Sequence, residues 1–241
     1  MEVLVFDIWG DYGHFRKFYT TSSPLSFAFP PPPTVAGILG AICGVGKDEY
    51  LNVFSREKTR IGIRLLNPVK KTRMGINFSE TKGSNLKVPM SDKNLAPRTQ
   101  IRVEFVKDPC YRIYVYHEDK NIMTNIKNLL KAHKTVFTVS LGLSELIADF
   151  RFIGVYTAER ISANGNFLDL TTVFLTEQLL PEGLAIEEDK KYFKERIPVA
   201  MTSDRVVEKY SDVIFESQGK TIKAKLKEAY RLSNGEIAAL F

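Results

Sequence analysis

The chain has 241 residues, 44% of them hydrophobic and 26% charged, a composition that supports a packed core and excludes a disordered chain. That length suits one main domain with an extension, or two small domains. A net charge of +6 points to acidic partners, while only two cysteines, Cys43 and Cys110, exclude a disulfide framework and a multi-cysteine zinc site.

Residues 1–10, MEVLVFDIWG, have no basic segment ahead of the apolar run and carry acids at Glu2 and Asp7, which excludes a signal peptide. Glu2 to Trp9 predicts a strand apolar on both faces, hence a central strand covered on both sides. Residues 10–28 read as a loop rich in Gly, Tyr, Ser and Thr, carrying His14, Arg16 and Lys17. The stretch FPPPPTVAGILGAICG at 29–44 then starts a helix sharply, because proline fixes φ and is tolerated in the first turn. Gly37, Gly40, Ala41 and Gly44 share one face of that helix, a smooth surface for close approach to a sheet or another backbone. The longest apolar run, Val35 to Val45, is far short of the roughly 20 residues of a membrane span. A cytoplasmic location is expected.

A strand follows at Thr59 to Leu66, then an irregular segment from Asn67 to Pro97 with Gly75, Gly83 and Pro89. Six cations lie in it: Lys70, Lys71, Arg73, Lys82, Lys87 and Lys93. A stretch this long without regular pattern inside a domain is functional or flexible. Between Lys58 and Arg112 there are 13 Lys/Arg against 4 Asp/Glu, a local balance of +9; between Glu118 and Asp189 the count is 6 against 11, or −5. A polyanion-binding surface would produce that separation by neutralising phosphates. A solvated basic face is the alternative.

Arg98 to Val106 and Cys110 to His117 predict a hairpin turning at Lys107-Asp108-Pro109. With Phe105 facing Tyr111, one face holds Ile101, Val103, Phe105, Tyr111, Ile113 and Val115. The other holds Gln100, Arg102, Glu104, Arg112, Tyr114 and Tyr116, with Glu104 opposite Arg112. An open face of Tyr, Arg and Gln is what single-stranded RNA readers use, and it is also an ordinary polar face of a half-buried sheet. Asn121 to His133 is an amphipathic helix with His133 at the end of its apolar stripe, and Leu146 to Tyr156 is a further strand. Through residue 157 the order approaches a ferredoxin-like βαββαβ pattern. The tail holds short strands around Ile197 to Met201, Val213 to Phe215, Thr221 to Leu226 and Glu236 to Leu240, with a hairpin turn at Asn234-Gly235. Lys223, Lys225 and Lys227 form one face of a strand, read as a guarded edge or a second phosphate-contacting stripe.

Catalytic templates fit poorly. Ala41 to Asp48, AICGVGKD, lacks the first Gly and the Ser/Thr of a P-loop, and it ends a helix instead of opening one. No G-x-S-x-G or H-E-x-x-H occurs, and three scattered histidines do not suggest a metal site. Metal-free RNA chemistry needs a general base, a general acid and a cation. His14 near Tyr12, Arg16 and Lys17, or His117 near Tyr116 and Lys120, offers those types.

The proline-led helix at 29–44, RTQIRVEF followed by DPCYRIYV at 98–115, and TVSLGLSELIADF at 138–150 together resemble the CRISPR-associated protein five family. The resemblance implies an α+β, ferredoxin-like (RRM/RAMP) domain over 1–160, a thumb-like insertion at 67–97 and a β-rich C-terminal region over 161–241. It implies a non-catalytic subunit of a type I surveillance complex that caps the crRNA 5′ handle and needs no cofactor or metal. Backbone and large subunits are the implied protein partners, with target DNA near the PAM-proximal end as a further contact. Carried over by position, the RNA contacts are Lys70, Lys71 and Arg73 in the thumb, Arg98, Gln100 and Arg102 on the following strand, and His14 and Arg16 after the first. One branch of the family cuts precursor guide RNA with a Tyr, Lys and His set. Tyr116, His117 and Lys120 match it in type but not in spacing, and His14 is the other candidate base for that runner-up activity.

Overall fold

The computed structural model describes residues 1–20, 23–79, 98–163 and 165–241, and shows a mixed α+β fold dominated by strands. Strand β1 (Glu2–Trp9) lies at its centre. Leu4, Phe6 and Ile8 point into the main core, whereas Val3 and Val5 point into a second cluster with Tyr114, Tyr230 and Leu240. Its two apolar faces are therefore both used.

After the short β2 (Tyr12–Gly13), α1 (Pro32–Cys43) starts on Pro31 in an extended conformation, with prolines at its first two positions where no N–H is required. Gly44, at φ 81°, closes it, donating its N–H to the Gly40 carbonyl at 2.8 Å. Val35, Leu39 and Ile42 are fully buried against the sheet. The smooth face does not meet the sheet: it receives α2 (Tyr50–Val53), and a Cβ on Gly40 would stand 2.9 Å from that of Tyr50.

Strand β3 (Thr59–Leu65) leads into β4 (Lys70–Ser79), β5 (Arg98–Lys107) and β6 (Cys110–His117). Lys82, Lys87 and Lys93 lie outside the described residues. The hairpin expected between β5 and β6 does not form. β5 pairs antiparallel with β4 over its whole length, from Lys70 opposite Lys107 to Ser79 opposite Arg98. β6 enters the main sheet between β1 and β3. The physical reason is burial on both faces of β6: Ile113 and Val115 belong to one core and Tyr114 to the other, which only an interior strand satisfies. The crossing occurs at Asp108, φ 50°, whose N–H bonds the Asp11 carbonyl, and Pro109, whose carbonyl accepts from Gly10. Glu104 accordingly stands opposite Arg73, while Arg112 stands opposite Asp7 and holds it through two bonds of 2.8 and 3.2 Å.

Helix α3 (Lys120–Lys131) is capped by the Asp119 carboxylate and buries Ile126 and Leu130. His133 is not on that buried stripe; it follows the helix at φ 52°, is largely exposed, and stacks on Phe150 while meeting Asp149 at 3.2 Å. β7 (Asp149–Ile161) then pairs with β1, so the inner sheet runs β7-β1-β6-β3, all antiparallel, with α1 and α3 as the two crossovers.

The remaining strands are β8 (Leu168–Leu170), β9 (Phe174–Leu175), β10 (Leu179–Leu184), β11 (Tyr192–Met201), β12 (Val207–Glu216), β13 (Ile222–Leu226), β14 (Ala229–Leu232) and β15 (Ile237–Ala238). The main sheet continues from β7 through β14, β15, β8 and β13 to β10, while β11, β12 and β9 form a separate small sheet. β13 thus has neighbours on both sides, which corrects its reading as an edge. The lysines on it and just after it are occupied locally: Lys223 meets Glu187, Lys225 lies over Phe167, and Lys227, one residue past the strand, donates to the Glu177 carbonyl. The sheet also curls round on itself. Ile61 of β3 exchanges two backbone bonds with Phe241, and Val173 donates to Ile63, so the outer side of β3 is closed by residues from far along the chain. The fit is tight, since a Cβ on Gly62 would lie 2.7 Å from Leu240.

Candidate nucleic-acid interface

Strands β4 and β5 form a two-faced ribbon, because directly paired residues share a face. Thr72, Met74, Ile76, Phe78, Ile101, Val103 and Phe105 make the apolar face. The opposite face carries Lys71, Arg73, Gly75, Asn77, Gln100, Arg102 and Glu104. Arg73, Asn77, Gln100 and Arg102 are exposed, so guanidinium and amide donors stand in register along one strand pair. A Cβ on Gly75 would press on the Gln100 side chain at 3.2 Å, so glycine there leaves room for Gln100 to lie beside Arg102.

The base of the ribbon is clamped by Glu104, only 9% exposed. Its carboxylate meets Lys71 at 3.1 Å and Arg73 at 3.6 Å, and accepts the Ser26 N–H at 3.3 Å. Burial pushes this carboxyl up, but the Lys71 bond and charge, with Ser26 and Arg73, hold it below its ordinary value. Lys71 also donates to the Ser26 carbonyl at 2.6 Å, so it pins the ribbon to the loop after β2 and is not a free phosphate contact. Arg73 is only loosely held, and Lys70 stands exposed opposite Lys107 on the other side of the ribbon.

His14 is 4% exposed, and its Nδ1–H donates to the Glu104 carbonyl at 2.7 Å. Burial, seconded by the charge of Arg16, lowers its pKa against the pull of that carbonyl, so the ring is neutral at pH 7. It lines a cleft of about 680 Å³ with Arg16, Tyr50, Ile76, Phe78, Ser140 and Arg205. Arg16 itself is exposed and reaches the Thr20 carbonyl at 3.4 Å.

The second histidine group lies elsewhere. Tyr116, His117 and Lys120 line a different cleft, of about 500 Å³, with Met1, Lys127 and Thr157. His117 accepts the Asp119 N–H at Nδ1 (2.9 Å), which leaves Nε2–H to donate to the Val53 carbonyl (2.9 Å). Both ring nitrogens are thus bonded to backbone, and the ring ties α2 to the start of α3. Among the described residues no group of three or more His, Cys, Asp or Glu is placed to hold a metal, and no helix is long and apolar enough to cross a membrane.

Of the residues singled out from sequence, the structure brings Lys71, Arg73 and His14 together around Glu104, with Gln100 and Arg102 farther along the ribbon. Glu104 and Ser26 were missed as functional residues. An acid alternating with apolar neighbours reads as solvent-facing, and nothing in the local pattern shows that residues 24–26 cover it.

A family model described as CRISPR-associated protein (Cas_Cas5) matches residues 3–213. Among solved structures, a CRISPR protein from Archaeoglobus fulgidus is similar over 99% of this chain and 98% of its own, with a TM-score of 0.55 and 15% identity. A chain of a CRISPR RNA-guided surveillance complex is similar over 92% of this chain and 91% of its own, with a TM-score of 0.51 and 11% identity. A search of the curated proteins finds no match.

Proposed function

Since the chain belongs to the Cas5 family of CRISPR-associated proteins, we propose that it is a non-catalytic RNA-binding subunit of a type I surveillance complex. In that role it caps the crRNA 5′ handle and contacts the backbone and large subunits. The observation that carries this reading is the ribbon: an exposed line of Arg73, Asn77, Gln100 and Arg102 on two strands whose other face is apolar. Guanidinium and amide groups in register suit phosphate oxygens and base edges together. We read the core as ferredoxin-like, supported by the inner order β7-β1-β6-β3 with its two helical crossovers, and the β4–β5 ribbon as the stem of a thumb. We keep 1–160 and 161–241 as the functional division, although the main sheet runs across it. A cytoplasmic location and target-DNA contact near the PAM-proximal end belong to the same proposal.

The test is binding of end-labelled CRISPR repeat RNA in EDTA, read on native and denaturing gels. A salt-sensitive shift of intact RNA, weakened by Arg73→Glu and Arg102→Glu, is expected; unchanged binding in that double variant refutes the ribbon as the contact. The runner-up, a metal-independent processing ribonuclease, draws on one observation: His14 lines a cleft, where burial lowers its pKa and favours the neutral ring. A discrete cut lost in His14→Ala would install it in place of the capping role. His117 is a poor base for such a cut, because both of its nitrogens are bonded.

A further inference from the structure

A group of aromatic rings lies apart from the ribbon, where the loop after β2 meets the small sheet. Phe18 and Tyr19 are 50% and 58% exposed. Phe18 packs on Tyr210 of β12 with centroids 4.5 Å apart, and Tyr19 stands edge-on to Phe18 at 5.0 Å. Exposed rings of this size on a mobile segment would be costly to order on binding, but residues 17–20 are held by contacts of their own. Lys17 is buried, with Nζ 2.7 Å from Glu195 on β11 and within 6 Å of the Tyr19 and Phe27 rings. Burial lowers the pKa of this ammonium, but the Glu195 bond and charge, seconded by Tyr19, raise it above its ordinary value. The Thr20 N–H and hydroxyl both return to the Lys17 carbonyl, closing the turn.

The charge beside the rings is positive. Arg196 stands opposite Asp212 in register, yet Asp212 is taken by Lys194 at 2.8 Å. Arg196 has no ion pair among the described residues, and its guanidinium lies 5.8 Å from the Tyr210 ring centre. Exposed, pre-ordered rings beside a guanidinium that no described carboxylate neutralises are the elements on which an unpaired base stacks while its phosphate is neutralised.

We infer that Phe18, Tyr19 and Tyr210, with Arg196, form a stacking site for an unpaired base of single-stranded RNA. The inference rests on the RNA-binding reading above and adds a second contact to it, on the small sheet. Stacking accepts any base, so this site adds affinity and direction to the strand without reading its sequence.

The test uses the full chain and CRISPR repeat RNA in which 2-aminopurine replaces one base at a time, since stacking quenches its fluorescence. One position is expected to be quenched. That quenching should be lost in Phe18→Ala and Tyr210→Ala and kept in Tyr210→Phe, with affinity falling about 5- to 100-fold in the alanine variants. Arg196→Gln should lower the salt dependence while leaving the quenching. Phe18 is half exposed, so an unchanged melting temperature in Phe18→Ala separates lost stacking from lost fold. If wild type does not bind the RNA, the proposed function fails and the stacking site with it. If the variants bind and quench as wild type does while Arg73→Glu weakens binding, the stacking site alone is refuted. It is refuted equally if the alanine variants lose only co-purifying Cas subunits, which would make the rings a protein contact.

Discussion

Glu104→Gln is the substitution that most directly questions the account of the ribbon base. The amide keeps the shape and still accepts the Ser26 N–H, but it removes the charge facing Lys71 at 3.1 Å and Arg73 at 3.6 Å. The Glu104 side chain is 11% exposed, Lys71 29% and Arg73 65%. The Arg73 contact is therefore in the surface range, worth about 0–1 kcal/mol. The Lys71 contact is intermediate between that and the roughly 3–5 kcal/mol lost when a buried pair is broken. We place the total near 2 kcal/mol, which for a chain of this size lowers the melting temperature by about 4–8 °C at neutral pH. The pH dependence follows from the depressed carboxyl. Stability from this group is full above the ordinary value of 4.5 and lost as pH falls through the lower folded-state value, so wild type and variant should converge in acid. Thermal melts from pH 7 down to pH 3 measure this. A variant that melts with wild type at pH 7, or a gap that persists unchanged into acid, would refute the clamp as an ion pair. Because Arg73 is released, RNA binding at low salt should be equal or tighter with a steeper salt dependence.

Asp7→Asn removes the charge that holds Arg112 in two bonds and Arg151 at 3.3 Å from a position 1% exposed, and should cost about 3–5 kcal/mol in urea unfolding. Gly40→Ala gains about 1 kcal/mol of helix propensity, yet the added carbon meets the Tyr50 Cβ at 2.9 Å, so the net effect in urea unfolding should be destabilising by about 1–2 kcal/mol, and Tyr50→Ala, which keeps that Cβ, should not relieve it. Phe241→Ala, at a residue 5% exposed, should lose about 3 kcal/mol or more in the same unfolding measurement; a cost below 1 kcal/mol would mean that the closure of β3 carries no weight. His117→Gln should lower the melting temperature without altering any RNA processing, because both nitrogens serve backbone groups.

The start of α1 was legible because Pro31, Pro32 and Pro33 admit little else, and its end because Gly44 takes a left-handed conformation. The central place of β1 was legible from apolar residues on both faces. The partner of β5 was not. The alternation in β5 fits a hairpin with β6 as well as a ribbon with β4, and only the two-sided burial of β6 decides between them. A usable signal was present: Thr72, Met74, Ile76 and Phe78 alternate with Lys71, Arg73, Gly75 and Asn77, the period of a strand. The alternating members are two cations, a glycine and an asparagine, so the stretch passed for an irregular basic segment. The stacked rings escaped notice for a different reason, since Phe18 and Tyr210 are far apart in sequence and only the folded chain makes them neighbours.

The curling of the main sheet has a consequence for how the chain reaches its native state. β1 pairs with β7, and β3 is sealed by residues 173 and 241, so many of the bonds that define the sheet join segments more than a hundred residues apart. Loops of that length must close before any of those bonds is made, and topologies built this way fold slowly. Until they close, β3 presents an unpaired rim with Ile61 and Ile63 on it, a template for a strand of another chain. Refolding at rising protein concentration should therefore lose yield to aggregation well before the folded protein itself associates.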